Sequence, residues 1–276
     1  MPYIRKVYNG KPFNPVHKFS IMIRKYGRSP FKVALIHGGP GSPGGLLELA
    51  QDLSKSRGIL EPIQSADSVM GQVDELNMQL EGNIPIILVG HSWGAMLAFI
   101  FAAIYPSRVS KLILVSSGVF EEKYSENIMK TRLKRLEKKD AVKVSELIES
   151  LKTSNDKDAT FEMLGGLLSA ADSRDAIKSK NELNPQYAVY KKVWDELKTL
   201  RISRKLTQLG SKITCPVVAF HGDYDPHPAE GVREPLERVL KHFRFVLLED
   251  CGHYPWLEKA VKDEFYARLE AELNRS

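Results

Sequence analysis

The stretch that decides the fold is residues 86–106, IILVGHSWGAMLAFIFAAIYP. Its first half is a continuous apolar run, which is typical of a strand buried in the middle of a parallel sheet. Its second half is apolar and helix-favouring, and it ends at Pro106. Between the halves, Gly90, Ser92 and Gly94 form the pattern G-x-S-x-G. A serine at this corner is either a nucleophile exposed at the edge of the sheet or an ordinary helix N-cap.

Short β-rich runs alternate with amphipathic helical patterns on both sides of this stretch. The β-rich runs are residues 31–39, 58–64, 109–118, 215–225 and 244–249. Such alternation predicts an α/β fold with a mostly parallel sheet and helices on both faces. The last helical pattern, residues 256–273, predicts a final helix that begins at Trp256. The first 27 residues look like an antiparallel hairpin at the edge of that sheet.

The middle of the chain breaks the alternation. From residue 119 to 211 the sequence has no comparable β-rich run and is instead charged and helix-favouring. We interpret this segment as a helical insertion in the core, and call it the cap. The predicted domains are therefore 1–118 as the first part of the core, 119–211 as the cap, and 212–276 as the second part of the core.

Composition excludes several classes of protein. The 276 residues are 43% hydrophobic and 27% charged, which suits one globular domain with an insertion. No apolar run is long enough for a membrane span, and the start lacks the apolar core of a signal peptide, so we expect a cytoplasmic protein. The net charge is +6, and much of the excess lies in the cap. We favour a solvated helical surface over nucleic-acid binding, because no basic motif is interleaved with aromatic residues.

The two cysteines, Cys215 and Cys251, do not form a disulfide framework. One precedes a predicted strand and the other follows the far end of the next, and six residues of strand span about 20 Å. That separation is too large for a disulfide, so we expect two free thiols. No histidines and cysteines stand at metal-ligand spacing, so we expect no metal and no cofactor.

A serine nucleophile needs a base, and the base needs an orienting carboxylate. His253 directly follows the last predicted strand, and it comes after the serine as the chain order of this kind of site requires. Asp225 follows the penultimate strand and is our preferred acid, because it lies farther into its loop than Asp223. We expect Asp223 to cap backbone amides. Asp250 is close to His253 in sequence and is therefore poorly placed to face its ring.

Acyl transfer also needs donors for the developing oxyanion. The backbone N–H of Trp93 is one candidate, and Gly39 in the glycine-rich HGGPG loop is the other. Glycine lets a backbone amide approach a substrate closely. The alternative for the loop is a tight turn without a catalytic role, and the Trp93 side chain either covers the site or packs beside it.

Three further histidines adjoin these motifs. His37 and His221 both precede a glycine at a strand end, and we expect them to bond loop backbone. His91 precedes the serine, and we expect it to point into the protein.

Four motifs, HGGPG, GHSWG, HGDYD and GHYPW, occur in this order and together resemble the α/β-hydrolase superfamily. The pairing of HGGPG with a tryptophan after the serine resembles the proline iminopeptidase branch. That resemblance implies a cofactor-independent serine hydrolase acting on a small-molecule or short-peptide substrate, with Ser92, His253 and Asp225 as its triad.

By the same resemblance, the cap supplies carboxylates to a substrate ammonium group. The carboxylates available there are Glu162, Asp172, Asp175, Glu182, Asp195 and Glu196. Carboxylesterase or thioesterase action fits the same catalytic parts. A ligand-binding protein without catalysis is the alternative from another class.

Overall fold

The computed structural model describes residues 22–179 and 185–275. Within them, seven strands form one sheet in the order β1-β3-β2-β4-β5-β6-β7. The strands are β1 Ile23–Tyr26, β2 Phe31–Ile36, β3 Gly58–Pro62, β4 Ile86–His91, β5 Val109–Val115, β6 Val217–Gly222 and β7 Phe243–Leu248. Only β1 is antiparallel to its neighbour, which confirms the mostly parallel sheet and the antiparallel edge. The rest of the predicted hairpin, residues 1–21, lies outside the described residues.

Ten α-helices in the described residues connect and cover the strands. They are α1 Leu47–Leu53, α2 Val69–Gln79, α3 Trp93–Ile104, α4 Ile128–Arg135, α5 Lys138–Thr153, α6 Lys157–Asp172, α7 Tyr187–Ile202, α8 Lys205–Gln208, α9 Glu230–Glu237 and α10 Lys262–Asn274. None of these helices combines the length and the hydropathy needed to cross a bilayer.

Alternating strand residues build one apolar core on each face of the sheet. Leu88 and Leu112 pack with α2, α3 and α7 on one face. Val89 and Ile113 face the other way and pack with α1 and α10. Helices therefore cover both faces, which is why the central strands are apolar throughout.

The five helices α4–α8 lie between β5 and β6, which are adjacent parallel partners. They are therefore an excursion from the sheet. Helices α4, α5 and α6 enclose a small apolar cluster of their own, which includes Val144, Leu147 and Leu164. Helix α7 instead buries Val193 and Leu197 in the main core. The boundary of the cap at 119–211 stays a prediction.

The last helix begins later than its sequence pattern indicates. The pattern runs from Trp256, but α10 begins at Lys262. The intervening segment pairs with the chain that leaves α6, through an antiparallel bridge between Ala176 and Glu258 and a hydrogen bond from the Ile177 N–H. These contacts replace the first turns of the expected helix.

Candidate active site

Ser92 lies at a strained corner between β4 and α3. Its backbone has φ 54° and ψ −117°, a conformation that non-glycine residues rarely adopt. The Ser92 N–H donates to the Val115 carbonyl at 3.0 Å, which fixes the corner to the neighbouring strand. The Ser92 side chain makes no cap hydrogen bond with α3. Ser92 therefore does not act as an ordinary N-cap serine, whose side-chain oxygen would accept a backbone N–H of the helix.

The two glycines of G-x-S-x-G are required by close backbone contacts. A Cβ added to Gly90 would lie 2.3 Å from the Gly94 carbonyl oxygen. A Cβ added to Gly94 would lie 2.1 Å from the Ile36 carbonyl oxygen on β2. Both distances are far below van der Waals contact, so any side chain here would open the corner that presents Ser92.

Asp225 and His253 meet at the carboxyl edge of the sheet, as predicted. Asp225 lies in the loop after β6 and His253 in the loop after β7. The His253 Nδ1 donates to Asp225 Oδ2 at 2.6 Å, and both side chains are buried. Because the carboxylate accepts this bond, the proton lies on Nδ1 and the Nε2 of neutral His253 carries a free lone pair.

The pair shifts the pKa values of both groups. Burial alone would lower the pKa of His253, but the charge of Asp225 and their hydrogen bond outweigh burial, so the net shift is upward. Burial alone would raise the pKa of Asp225, but the surrounding histidines hold that pKa well below its ordinary value. The structure therefore keeps an ionised carboxylate behind the imidazole.

His91 joins the serine corner to the histidine loop. Its Nε2 donates to the His253 carbonyl at 2.9 Å, and the centres of the two rings are 4.8 Å apart. His91 is buried and also contacts Trp256 edge-on, which confirms that it points into the protein. The residue that precedes Ser92 is thus packed directly against His253.

The other two acids near this edge have different roles. Asp223 Oδ1 accepts the Cys251 N–H at 3.1 Å, which confirms that Asp223 fixes the loop. Asp250 is exposed and lies 3.6 Å from Arg174, whereas the His253 Nδ1 is bonded by Asp225. The preference for Asp225 over both agrees with this geometry.

The glycine-rich loop after β2 reaches the serine corner. A Cβ added to Gly38 would lie 3.1 Å from the Ser92 Cβ, so this loop passes directly beside the serine. Gly39 has φ 59°, and its carbonyl accepts the Ser42 N–H at 2.8 Å in a turn. The Trp93 side chain is buried, and its Nε1 donates to Gln72 at 2.8 Å, so it packs beneath the site.

His37 and His221 bond loop backbone, as expected. The His37 Nδ1 donates to the Gly38 carbonyl at 3.0 Å, and burial lowers the pKa of His37 to about 4. The His221 Nε2 donates to the His227 carbonyl at 2.7 Å. Cys215 and Cys251 are both free and buried, which confirms the two thiols.

One histidine of this cluster, His227, is not among the site residues that the motifs predict. Its Nδ1 lies 2.8 Å from Asp225 Oδ1, the carboxylate oxygen that His253 does not bond, and the centres of the two histidine rings are 4.9 Å apart. The ligating atoms of Asp225, His227 and His253 lie within 4.8 Å of one another, so these three side chains could hold a metal ion. Metal-ligand spacing could not reveal the group, because its members come from two distant loops. The only signal was a histidine two residues after the candidate acid.

The inserted helices place a buried ion pair beside this edge. Arg132 on α4 donates to both carboxylate oxygens of Asp172 at the end of α6, at 2.6 and 2.7 Å. The His253 N–H donates to the Asp172 carbonyl at 2.9 Å. Tyr254 is half-buried beside His253, and desolvation raises its pKa to about 12.

Comparison with known proteins gives relatives of two kinds. Human monoacylglycerol lipase ABHD6 is 28% identical over 200 residues, which are 71% of this chain and 58% of the lipase. The chain thus spans little more than half of that relative. A proline iminopeptidase of Saccharolobus solfataricus is 26% identical over 81% of this chain and 79% of its own length. The crystal structure of VinJ superposes with a TM-score of 0.67 over 91% of this chain and 93% of VinJ, at 20% identity.

The family model for the alpha/beta hydrolase fold matches residues 64–260. That range contains Ser92, Asp225 and His253 and covers most of the chain. The match agrees with the sheet order and with the strand-to-helix corner at Ser92. The chain is a hydrolase-fold protein that belongs to the alpha/beta hydrolase family and has a proline iminopeptidase among its relatives.

Proposed function

We propose that the chain is a serine hydrolase that cleaves small carboxylic esters. Ser92 is the nucleophile, His253 the general base and acid, and Asp225 the residue that orients the imidazole. One observation carries the proposal. The 2.6 Å bond from His253 Nδ1 to Asp225 leaves Nε2 ready to accept a proton, and the loop of His253 is packed against the residue that precedes Ser92.

The reaction follows from these groups. Ser92 Oγ attacks the ester carbonyl while its proton passes to His253 Nε2, and the charged imidazole is stabilised by Asp225. The backbone N–H groups of Gly39 and Trp93 bind the oxyanion, and the proton then goes to the leaving alkoxide. Water deprotonated by His253 hydrolyses the acyl-enzyme and regenerates Ser92.

The partners of the cap carboxylates favour an ester over a substrate with a free ammonium group. Asp172 is neutralised by Arg132, Asp175 lies 2.7 Å from Lys259, and Asp195 lies 2.7 Å from Lys191.

The three remaining cap acids complete this comparison. Glu196 accepts the Val69 N–H at 2.8 Å, Glu162 is exposed, and Glu182 lies outside the described residues. An ammonium pocket needs a carboxylate that is buried and not already paired. None of these acids in the described residues meets that need, and the lipase relative points in the same direction.

Aminopeptidase action is the second candidate. It is favoured by the archaeal proline iminopeptidase, which aligns over 79% of its length. Thioesters share the acyl chemistry of esters and are a further class to test.

The first experiment asks whether Ser92 is a nucleophile. A fluorophosphonate probe should label the wild type and the Ser107→Ala variant equally, since Ser107 is an exposed serine in the short 3-10 helix Pro106–Arg108. Ser92→Ala should not be labelled. Equal labelling of Ser92→Ala and the wild type would reject the proposal and favour a binding protein without catalysis.

The second experiment separates the substrate classes. Aryl esters of two to ten carbons, the matching thioesters, and prolyl and alanyl aryl-amides are compared by kcat/KM. We expect turnover of the esters and little of the amides. Preference for the prolyl amide would replace the ester proposal with the aminopeptidase.

A further inference from the structure

Asp225 is held by two histidines rather than one. Its Oδ2 accepts from His253 Nδ1 at 2.6 Å. Its Oδ1 accepts from the backbone N–H of His227 at 2.9 Å and from the His227 Nδ1 at 2.8 Å. All three side chains are buried. Each oxygen of the carboxylate therefore has its own imidazole, and the carboxylate cannot rotate without breaking a bond on both sides.

His227 is itself fixed from behind. The His221 Nε2 donates to the His227 carbonyl at 2.7 Å, and the same nitrogen lies 3.7 Å from Asp225 Oδ2. His221 is completely buried at the end of β6. A chain of contacts thus runs from the sheet through His221 and His227 to the carboxylate.

We propose that His227 is a positioning residue, which donates through Nδ1 to Asp225 Oδ1 and so aims Oδ2 at His253. This rests on the proposed function. An isolated buried carboxylate is costly, and three N–H donors offset that cost while they fix the plane of the group. The orientation of the His253 imidazole depends on that plane, because Oδ2 is the acceptor for its Nδ1.

A hydrogen-bonded cluster explains the three side chains better than a metal ion does. Each Nδ1 faces a carboxylate oxygen at hydrogen-bond distance, so an ion coordinated by the same nitrogens would displace both protons and break both bonds. Without an ion the cluster keeps the negative charge of the Asp225 carboxylate, and the N–H donors of His227 and His253 stabilise that charge.

The experiment compares three variants of the full chain. His227→Leu removes the donor, whereas His227→Asn keeps an amide N–H close to the position of Nδ1. His242→Asn, in the exposed turn before β7, is the matched control. We expect kcat of His227→Leu to fall on the order of 10–100-fold with little change in KM, because a small misplacement of a catalytic group has effects of that size. His227→Asn should recover most of the rate.

The pH profile distinguishes positioning from mere stability. The titratable and charged groups around His227 are Asp225, His253, His91, His221 and Arg132. Without the His227 donor, the Asp225 charge acts more strongly on His253, so the acid limb of kcat/KM should move to higher pH in His227→Leu. The proposal is overturned if His227→Leu has a lower melting temperature but the same kcat and the same acid limb of the kcat/KM profile as the wild type.

Two further measurements keep the inference independent of the proposed function. The Nδ1 proton of His253 should give a strongly deshielded proton resonance that His227→Leu shifts and His227→Asn retains. If the wild type has no activity that depends on Ser92, the proposed function fails, and this resonance still tests the positioning role. Loss of activity in EDTA with recovery in Zn²⁺ would make the cluster a metal site and overturn the proposal.

Discussion

The backbone N–H of His253 donates a 2.9 Å hydrogen bond to the carbonyl of Asp172, the last residue of α6. A buried carboxylate reinforces this connection. Glu258 accepts the N–H of Gly252 at 3.1 Å and those of Arg174 and Asp175 at 2.9 and 2.8 Å. The loop of the candidate base is thereby attached to the inserted helices, so the position of His253 depends on both parts of the chain.

We expect Glu258→Ala to lower the free energy of unfolding by about 2–4 kcal/mol, because three backbone donors lose their acceptor in a buried place. The same change should lower kcat, since the loop of His253 loses an anchor. Urea unfolding and steady-state kinetics measure the two effects. Glu264→Ala is the control, because Glu264 forms an exposed pair with Arg268 and should change stability by less than about 0.5 kcal/mol. Equal stability of both variants would contradict the role of Glu258.

The pH dependence of catalysis should reflect the raised pKa of His253. The imidazole must be neutral to accept the Ser92 proton, so kcat/KM should fall about tenfold per pH unit below that pKa. Because the pKa of His253 lies above the ordinary value of 6.5, the acid limb, which is this fall of kcat/KM at low pH, should have its midpoint above pH 6.5.

Asp225→Asn tests the cause of that shift. Without the carboxylate charge, burial lowers the pKa of His253, so the acid limb of the kcat/KM profile should move to lower pH. The wrong tautomer should also reduce kcat by roughly 10⁴-fold. A limb that stays in place would show that Asp225 does not set the pKa of His253.

The ion pair between Arg132 and Asp172 should contribute to both stability and activity. Arg132→Leu leaves a carboxylate buried without its cation, which costs about 3–5 kcal/mol. Lys191→Ala breaks an exposed pair with Asp195 and should cost less than about 1 kcal/mol. Thermal or urea unfolding of the two variants measures the contrast, and similar losses in both would mean that the buried pair is not anchoring the inserted helices.

Two glycines inside α6 should be replaceable with a gain in stability. A Cβ added to Gly165 or Gly166 meets nothing within 4 Å, and both lie within the helix Lys157–Asp172. Each Gly→Ala change should raise the free energy of unfolding by about 0.5–1 kcal/mol. Gly94→Ala is the opposite case, because its Cβ would collide with β2 at the serine corner, so it should unfold the protein or abolish labelling of Ser92. A destabilised Gly166→Ala would show that the helix needs its glycine.

Local patterns in the sequence were enough to predict the alternation of strands and helices and the position of Ser92. An apolar strand, a G-x-S-x-G turn and an apolar helix each depend on neighbours a few residues apart. The order of the strands along the chain also predicts His253 and Asp225, because each follows a strand and parallel strands bring their carboxyl ends to one edge of the sheet. The same patterns misplaced the start of the last helix at Trp256, where pairing with residues 175–177 replaces helical hydrogen bonds.

The sequence by itself determined the fold class, the serine corner and the two side chains expected to serve it, since these follow from short-range periodicity and strand order. Only the tertiary structure decided that His227 bonds the second carboxylate oxygen of Asp225, and that Asp172 is paired with Arg132 instead of being free for a substrate. Those partners come from turns and helices whose contacts depend on side-chain packing in three dimensions. No spacing along the chain encodes such contacts, and the neighbours they bring together set the charges of Asp225 and His253 against the effect of burial.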